Sequence, residues 1–204
     1  MSFKKLNPEL LAVMTEKGIQ TPNDFQANFF PLMKQGVDLF GIGPKGCGKR
    51  TALILTVLHK LQFKAEEDAP RAIILVKDKA EALALEEAFL SYIKYKTDLR
   101  VYAAYEEKMI EHQKDEIYFG VDILISTVKR FSKLYFLNCI NVNLCQTFCV
   151  YKADFIIRKD FHTDIVRISE SLTKCQHIVF AESFHPKLEI LHELIMPKAR
   201  IVKG

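Results

Sequence analysis

The segment from Gly43 to Arg50 carries the strongest chemical signal in this 204-residue sequence. It reads Gly-Pro-Lys-Gly-Cys-Gly-Lys-Arg and matches the pattern G-x-x-x-x-G-K, in which backbone N–H groups surround phosphate oxygens. The residues of this predicted phosphate loop are Gly43, Lys45, Gly46, Cys47, Gly48 and Lys49. A Ser or Thr that binds Mg²⁺ follows the lysine in this pattern, but here the position holds Arg50. The loop therefore predicts phosphate binding with an altered metal position.

The residues around the phosphate loop support this interpretation. An apolar run ends at Ile42, immediately before the loop, and an amphipathic helical pattern begins at Lys49. In a strand–loop–helix unit of this kind, the helix N-terminus and its free N–H groups attract an anion. A glycine-rich turn without a ligand is the alternative. Cys47 is interpreted either as a reactive thiol near the helix N-terminus or as a small residue in place of Ser.

Short apolar runs alternate with longer helical patterns along the chain. The predicted strands are 38–42, 72–76, 100–104, 122–126, 147–151, 177–181 and 200–203. The predicted helices between them are 49–61, 79–95, 128–137 and 186–194. An earlier helix is expected to begin at Pro8, with Asn7 as its N-cap and Gly18 at its end. This pattern predicts an α/β fold, an open and mostly parallel sheet with helices on both faces, and a single domain over residues 1–204.

The composition is that of a globular protein, because 49% of the residues are hydrophobic, 26% are charged and the net charge is +4. It excludes a disordered tail and a small disulfide scaffold, and its mild basicity is compatible with a phosphate-rich partner. The five cysteines and six histidines show no zinc-binding spacing, so no metal is predicted. With no signal-peptide pattern and no apolar run of transmembrane length, we expect reduced thiols, a cytoplasmic location and no membrane partner.

Several segments around the loop are similar to motifs of the DEAD-box RNA helicases. Residues 18–26, which end at Gln26, resemble the Q motif of that family. Residues 77–82 lie where the family has P-T-R-E-L-A, and residues 127–130 lie where it has T-P-G-R. Residues 150–154 lie where it has the D-E-A-D box, and residues 181–183 lie where it has S-A-T. The resemblance extends from about Phe3 to the C-terminus and covers the first of the family's two RecA-like domains. It implies a RecA-like P-loop domain and the family activity of an ATP-dependent RNA helicase.

The sequence departs from the family at positions that act in ATP hydrolysis. The D-E-A-D box is represented here by Tyr151, Lys152, Ala153 and Asp154. The resemblance implies that Tyr151 replaces a metal-positioning Asp and that Lys152 replaces a water-orienting Glu. Arg50 replaces the hydroxyl residue of the loop. Thr51 lies about 100° further round the helix, so we do not expect it to reach the same metal position, although it is a candidate phosphate-binding residue. We therefore expect a degenerate domain that has no catalytic residues and does not hydrolyse ATP by itself.

Two of these replacements add positive charge beside Lys49. Arg50 can hold phosphate oxygens with two N–H groups, and Lys152 can act as a point charge. We therefore expect this site to bind a phosphate group, or ATP or ADP, without Mg²⁺. Gln26 favours an adenine nucleotide, because the resemblance implies adenine recognition at that position. The alternative is that Arg50 or Lys152 pairs with Asp154 or another acid and fills an empty pocket.

The resemblance also implies contacts with the sugar–phosphate backbone of RNA. The residues at the corresponding positions are Lys77, Lys79, Thr127, Lys129 and Arg130. Backbone contacts give affinity without sequence information, and no DNA specificity is predicted. Ordinary solvated lysines at the starts of helices are the alternative.

Three functions remain open at this point. The leading interpretation is binding of RNA or a ribonucleoprotein, which predicts salt-sensitive retention of RNA. The second is a pseudoenzyme scaffold that binds another protein, which predicts a complex that nuclease does not disrupt. The third is an ATP-dependent RNA helicase subunit completed in trans by a second domain, which predicts ATP turnover only when that partner is added.

Overall fold

The computed structural model describes residues 3, 6–66, 69–93, 97–158, 161–172 and 174–204. Its strands are β1 Leu39–Ile42, β2 Ala72–Val76, β3 Val101–Ala104, β4 Ile123–Thr127, β5 Thr147–Val150, β6 Gln176–Ala181 and β7 Arg200–Lys203. They form one sheet with the order β3-β4-β2-β5-β6-β1-β7. Every pair of neighbouring strands in this sheet is parallel. The predicted α/β fold with a parallel sheet is therefore confirmed, and each predicted strand lies within one residue of an observed one.

Helices connect the strands. They are α1 Pro8–Glu16, α2 Asp24–Lys34, α3 Lys49–Lys60, α4 Lys79–Ile93, α5 Ile110–Tyr118, α6 Val128–Phe136, α7 His162–Glu170 and α8 Pro186–Ile195, with a short 3-10 helix at Ala153–Ile157. The predicted helices at 49–61, 79–95, 128–137 and 186–194 are present, although residues 94 and 95 lie outside the described part. Across the described ranges, no helix combines the length and the apolar character needed to cross a bilayer.

Three helices were not predicted from the sequence. α5 buries only Gln113 and Ile117, so its apolar pattern is too sparse to indicate a helix. α2 contains Pro31 in its interior, which reads as a helix breaker, yet its first turn is stabilised by a capping box between Asn23 and Gln26. α7 has no side-chain N-cap to mark its start. The prediction of the seven strands does not depend on these three helices.

Two apolar cores lie on opposite faces of the sheet. One contains side chains of α1, α2, α3 and α4, and the other contains side chains of α6, α7 and α8. Consecutive residues of β2 alternate between them, with Ile74 in the first core and Ile73 in the second. The prediction of helices on both faces is therefore confirmed.

The predicted boundaries of α1 are also confirmed. The Asn7 side chain accepts a hydrogen bond of 2.8 Å from the backbone N–H of Glu9, as an N-cap does. Gly18 has a φ of +71°, which suits the left-handed end of a helix, and the N–H of Ile19 bonds back to the carbonyl of Met14 at 2.8 Å. This cap directs the chain from α1 towards α2.

A buried ionic cluster holds the amino ends of three strands together. Asp122, which directly precedes β4, has no solvent exposure. It accepts bonds from the guanidinium of Arg71 at 2.8 Å and from Nε of Arg100 at 3.2 Å, and these two residues directly precede β2 and β3. Arg71 is only 3% exposed, so the charges of Arg71 and Asp122 depend on their protein partners for stabilisation.

The phosphate loop and the segments that resemble family motifs after it lie at the carboxyl ends of strands. The phosphate loop follows β1, and segments 77–79, 105–108, 127–130, 151–154 and 181–183 lie at or after the ends of β2 to β6. Because the strands are parallel, these ends meet at one edge of the sheet. The fold therefore brings the predicted site residues to a common edge.

Candidate functional site

The phosphate loop has the backbone geometry that its glycines permit. Gly46 and Gly48 have φ angles of +93° and +98°, and Gly48 caps the N-terminus of α3. A Cβ atom on Gly48 would lie 2.6 Å from Nδ2 of Asn23 and 2.7 Å from Nε2 of Gln26. Both the positive φ and the lack of space require glycine at this position.

The side chain of Lys49 lies inside the loop. Only 7% of the residue is exposed. Its Nζ donates hydrogen bonds to the carbonyls of Gly43 and, at 2.9 Å, Pro44, and it lies 3.6 Å from Sγ of Cys47. The ammonium group therefore holds the loop closed by bonding to its carbonyl groups.

The first turn of α2 braces the loop from the outside. Nδ2 of Asn23 donates to the carbonyl of Cys47 at 3.0 Å, and Nε2 of Gln26 donates to the carbonyl of Gly48 at 3.4 Å. Oε1 of Gln26 accepts from the backbone N–H of Asn23 at 3.3 Å. Gln26 is only 5% exposed. In this structure the oxygen and the nitrogen of its side-chain amide both form hydrogen bonds with protein groups. Its role in adenine recognition stays a prediction.

A pocket of about 370 Å³ opens beside the loop. Its lining residues are Lys45, Gly46, Gly48, Lys49, Arg50, Thr51, Tyr151, Lys152 and Glu182. The fold thus brings the phosphate loop together with the altered D-E-A-D box, as the sequence predicted. Four of the lining side chains are cationic and one, Glu182, is a carboxylate.

Arg50 and Thr51, at the start of α3, both contact tyrosines. Burial raises the pKa of the Tyr151 phenol, and a hydrogen bond from Arg50 opposes that rise. Burial likewise raises the pKa of the Tyr92 phenol on α4, to which the hydroxyl of Thr51 is hydrogen-bonded. Both phenols are therefore neutral at physiological pH, and Arg50 meets a neutral oxygen rather than an acid.

Lys152 forms an ion pair across the pocket edge. Its Nζ donates to Oε2 of Glu81, in the first turn of α4, at 2.6 Å, and it lies 5.5 Å from the centre of the Tyr151 ring. The backbone of Lys152 is left-handed, with φ and ψ of 52° and 53°, a conformation that costs energy for a residue with a Cβ. In this structure Lys152 is paired with an acid, Glu81, and its role in phosphate binding stays a prediction.

Asp154 has a different use. Both of its carboxylate oxygens accept from the backbone N–H of Glu182, at 3.0 and 3.1 Å. Ala153 is fully buried beside it. Asp154 therefore joins the altered box to segment 181–183.

Most side chains around this pocket are cationic, and Thr51, Tyr151 and Glu182 supply its side-chain oxygen atoms. Magnesium prefers carboxylate and other oxygen ligands in octahedral geometry. Where the family resemblance implies a hydroxyl and two acids, the lining of this pocket has Arg50, Tyr151 and Lys152. These cations would repel a divalent metal, whereas they complement the charge of phosphate.

The five residues predicted to contact RNA fall into two groups. Lys77, Lys79 and Lys129 are exposed at the carboxyl edge of the sheet. Thr127 and Arg130 are only 3% and 7% exposed. The Thr127 hydroxyl donates to the Glu106 carboxylate at 2.6 Å, and the Arg130 guanidinium donates to the carbonyls of Glu106 and Lys108 at 2.6 and 3.1 Å. In this structure these two side chains hold segment 106–108 in place.

Sequence reasoning missed three contributors to the site. Asn23 braces the loop, Glu81 pairs with Lys152, and Glu182 lines the pocket. The signal available for Asn23 was its position three residues before Gln26, the spacing of a capping box. Glu81 and Glu182 lie within the segments that resemble family motifs, but no local pattern marks them as neighbours of the pocket.

Comparison with known proteins identifies relatives over most of the chain. Residues 23–187 match the family model described as DEAD/DEAH box helicase. The chain is 28% identical to ATP-dependent RNA helicase DeaD of Buchnera aphidicola (subsp. Acyrthosiphon pisum, strain APS) over 85% of this chain and 28% of that protein. It is also 28% identical to pre-mRNA-processing ATP-dependent RNA helicase PRP5 of Candida albicans, over 100% of this chain and 24% of that protein. The chain thus spans about a quarter of the length of these two relatives.

Solved structures show the same fold. The yeast DEAD-box splicing factor Prp28 superposes with a TM-score of 0.89 and 19% identity, over 99% of this chain and 51% of that one. A DEAD box protein from Methanococcus jannaschii superposes with a TM-score of 0.87 and 19% identity, over 100% of this chain and 56% of that one. The RecA-like fold implied by the sequence resemblance is therefore confirmed.

Proposed function

This chain belongs to the DEAD/DEAH box helicase family, and from that premise we propose that it binds RNA and holds a phosphate group or adenine nucleotide without Mg²⁺ and without hydrolysing it. The observation that carries the proposal is the pocket beside the phosphate loop. There the backbone geometry of a phosphate site is kept, while four cations and one carboxylate line the space.

The chemistry of two side chains supports the proposed absence of hydrolysis. Phosphoryl transfer to water needs neutralisation of developing charge and a positioned nucleophile. The ammonium of Lys152 has no lone pair with which to accept a proton from water, and it is already paired with Glu81. Tyr151 is buried and its raised pKa keeps it neutral, so it supplies no anionic metal ligand.

The test of this part is the release of phosphate from ATP in the presence of Mg²⁺ and single-stranded RNA. We expect a rate equal to that of a protein-free control. The matched variant is Lys49→Ala, which removes the ammonium group of the loop. Turnover in the original protein that is lost in Lys49→Ala contradicts the proposal, because it shows hydrolysis at this loop.

The cations of the pocket support anion binding without a metal. Hydrogen bonds between ionised partners contribute about 1.5–3 kcal/mol each, more than neutral ones. Arg50 is exposed and lies beside the neutral phenol of Tyr151, and Lys45 is exposed at the pocket rim. Both can turn to an incoming phosphate without leaving a buried charge unpaired.

The Glu81 carboxylate competes with a bound phosphate for Lys152. Its Oε2 holds the ammonium at 2.6 Å, and its Oε1 is buried with no hydrogen-bond partner among the described residues. We expect Glu81→Gln to tighten the binding of ADP in EDTA by about two- to fivefold, since partly exposed ion pairs contribute up to about 1 kcal/mol. Calorimetric titration measures this change.

A matched control for this variant is Glu111→Gln. It breaks another Lys–Glu pair, the 2.9 Å contact between Glu111 and Lys114 on α5, which is outside the pocket. We expect it to leave ADP affinity unchanged. Equal or weaker affinity in Glu81→Gln argues that Lys152 does not contact the phosphate.

RNA binding is supported by the exposed lysines of the carboxyl edge. The two curated relatives are both RNA helicases by name. Lys77, Lys79 and Lys129 are exposed at the carboxyl edge of the sheet, the edge that also carries the phosphate pocket. Their positive charges attract the phosphates of an RNA backbone. Lys77 also contacts the exposed carboxylate of Asp78 at 3.3 Å, a pair that solvent screens strongly.

Replacing Lys77, Lys79 and Lys129 together by Gln tests this role. Each lost phosphate contact on single-stranded RNA lowers the slope of log affinity against log salt by about 0.7, so we expect a decrease of about two. The measurement is fluorescence anisotropy of a labelled single-stranded RNA across a salt series, with Lys114→Gln as the control. An unchanged slope places the RNA contacts elsewhere on the chain.

A further inference from the structure

Two thiols meet at the end of the sheet opposite the phosphate loop. Cys145 and Cys175 lie just before β5 and β6, and their Sγ atoms are 3.4 Å apart. Cys145 is 5% exposed, whereas Cys175 is partly exposed and lines an open pocket of about 440 Å³ together with Lys60. We propose that this pair is an oxidation site, at which a peroxide converts the two thiols into a disulfide.

The backbone already holds the two cysteines on neighbouring chain segments. β5 and β6 are parallel neighbours, with Thr147 opposite Gln176. The N–H of Gln176 donates to the carbonyl of Gln146 at 3.1 Å. This hydrogen bond joins the residue that follows Cys145 to the residue that follows Cys175. A disulfide bond is about 2.05 Å long, so the sulfur atoms need to approach by about 1.3 Å. Rotation of side chains at the edge of an open pocket can supply a movement of this size.

The reaction balances with one peroxide. Cys175, which lines the pocket, meets the oxidant first, and its sulfur attacks the peroxide oxygen; the O–O bond breaks, a sulfenic acid forms and one water leaves. The sulfur of Cys145 then attacks the sulfenic sulfur, the S–S bond forms and a second water leaves. Hydrogen peroxide is reduced to two waters, and the two thiols are oxidised by two electrons.

The surroundings make this oxidation slow and pH-dependent. The hydrogen bond with Cys145, together with burial, raises the pKa of the Cys175 thiol, the nearby ammonium of Lys60 opposes the rise, and the carboxylate of Asp38 adds to it. The thiolate is the reactive form, and raising the pH increases its fraction. We therefore expect slow disulfide formation at neutral pH and faster formation at alkaline pH.

Non-reducing peptide mapping after hydrogen peroxide treatment tests the site. We expect a peptide that links Cys145 to Cys175, released by a reducing agent. The link closes a loop between residues 30 apart, and a loop of this size raises Tm by about 5–10 °C through its effect on the unfolded chain. We expect that shift in the original protein and its reversal on reduction.

The variants are chosen to separate the site from general oxidation. Cys175→Ser and Cys145→Ser each remove the shift in Tm, whereas Cys139→Ser, a partly exposed cysteine outside the pair, retains it. Cys149 is fully buried and its pKa is raised well above its usual value by burial, so it should stay reduced as an internal reference. Sulfinic acid at Cys175 with Cys145 still alkylatable, or links to other cysteines, overturns the proposal.

Discussion

Replacing Asp122 with Ala is expected to lower the free energy of unfolding by about 3–5 kcal/mol. The carboxylate has no exposure, and its loss leaves the guanidinium of Arg71, 3% exposed, without its 2.8 Å partner. Arg100 loses bonds to the same carboxylate from its side chain at 3.2 Å and from its backbone N–H at 2.9 Å. The amino ends of β2, β3 and β4 are therefore weakened together, and urea denaturation followed by circular dichroism measures the change.

Two control variants distinguish the loss of a buried charge from the loss of any carboxylate. Asp122→Asn keeps a hydrogen-bond acceptor and removes only the charge, so its loss should be smaller. Glu111→Ala removes a carboxylate whose pair with Lys114 is exposed, and its effect should stay within about 0.5 kcal/mol. A loss below about 1 kcal/mol in Asp122→Ala contradicts the view that this cluster joins the strands.

Replacing Lys152 with Glu is expected to weaken binding of ADP in EDTA by about 100-fold, or about 2.7 kcal/mol. The change replaces a cation in the wall of the pocket by an anion. It also places that anion against Glu81, which holds the present ammonium at 2.6 Å. Phosphate then loses one charge-assisted bond and meets an additional negative charge. The same calorimetric titration used for Glu81→Gln measures the effect.

The charge-swapped double variant separates stability from binding. Glu81→Lys combined with Lys152→Glu restores an ion pair in which the two charges have exchanged positions. The double variant should therefore recover most of the free energy of unfolding that Lys152→Glu alone loses. Affinity for ADP should recover less, because the cation then extends from α4 rather than from the altered box. If Lys152→Glu binds ADP as well as the original protein does, the phosphate contacts lie outside this pocket.

The sheet could be predicted from the sequence because its strands are buried on both faces. The run 72–76, Ala-Ile-Ile-Leu-Val, is fully buried and continuously apolar, so it can be recognised as a strand without knowledge of its neighbours. The phosphate loop could also be predicted, since the positive φ of Gly46 and Gly48 is a local requirement that only glycine meets without strain.

The pairing of the site's charges could not be predicted in the same way. Lys152 and Glu81 are 71 residues apart, and their contact exists only because β2 and β5 are neighbours in the sheet. Likewise, the bonds of Arg130 to segment 106–108 depend on how the loop after β3 folds over α6. Residue type and spacing identify candidate ligands, but tertiary contacts decide which of them are free to bind one.

The most direct test of a metal-independent phosphate site is calorimetric titration of ATP into the protein with Mg²⁺ and again with EDTA. The cationic pocket predicts saturable binding under both conditions, with affinities that differ little, because Lys45, Lys49, Arg50 and Lys152 supply the positive charge. Binding that appears only with Mg²⁺ contradicts the account, since it shows that the cations of the pocket do not take the place of the metal. Absence of binding under both conditions contradicts it equally and leaves the pocket without a nucleotide.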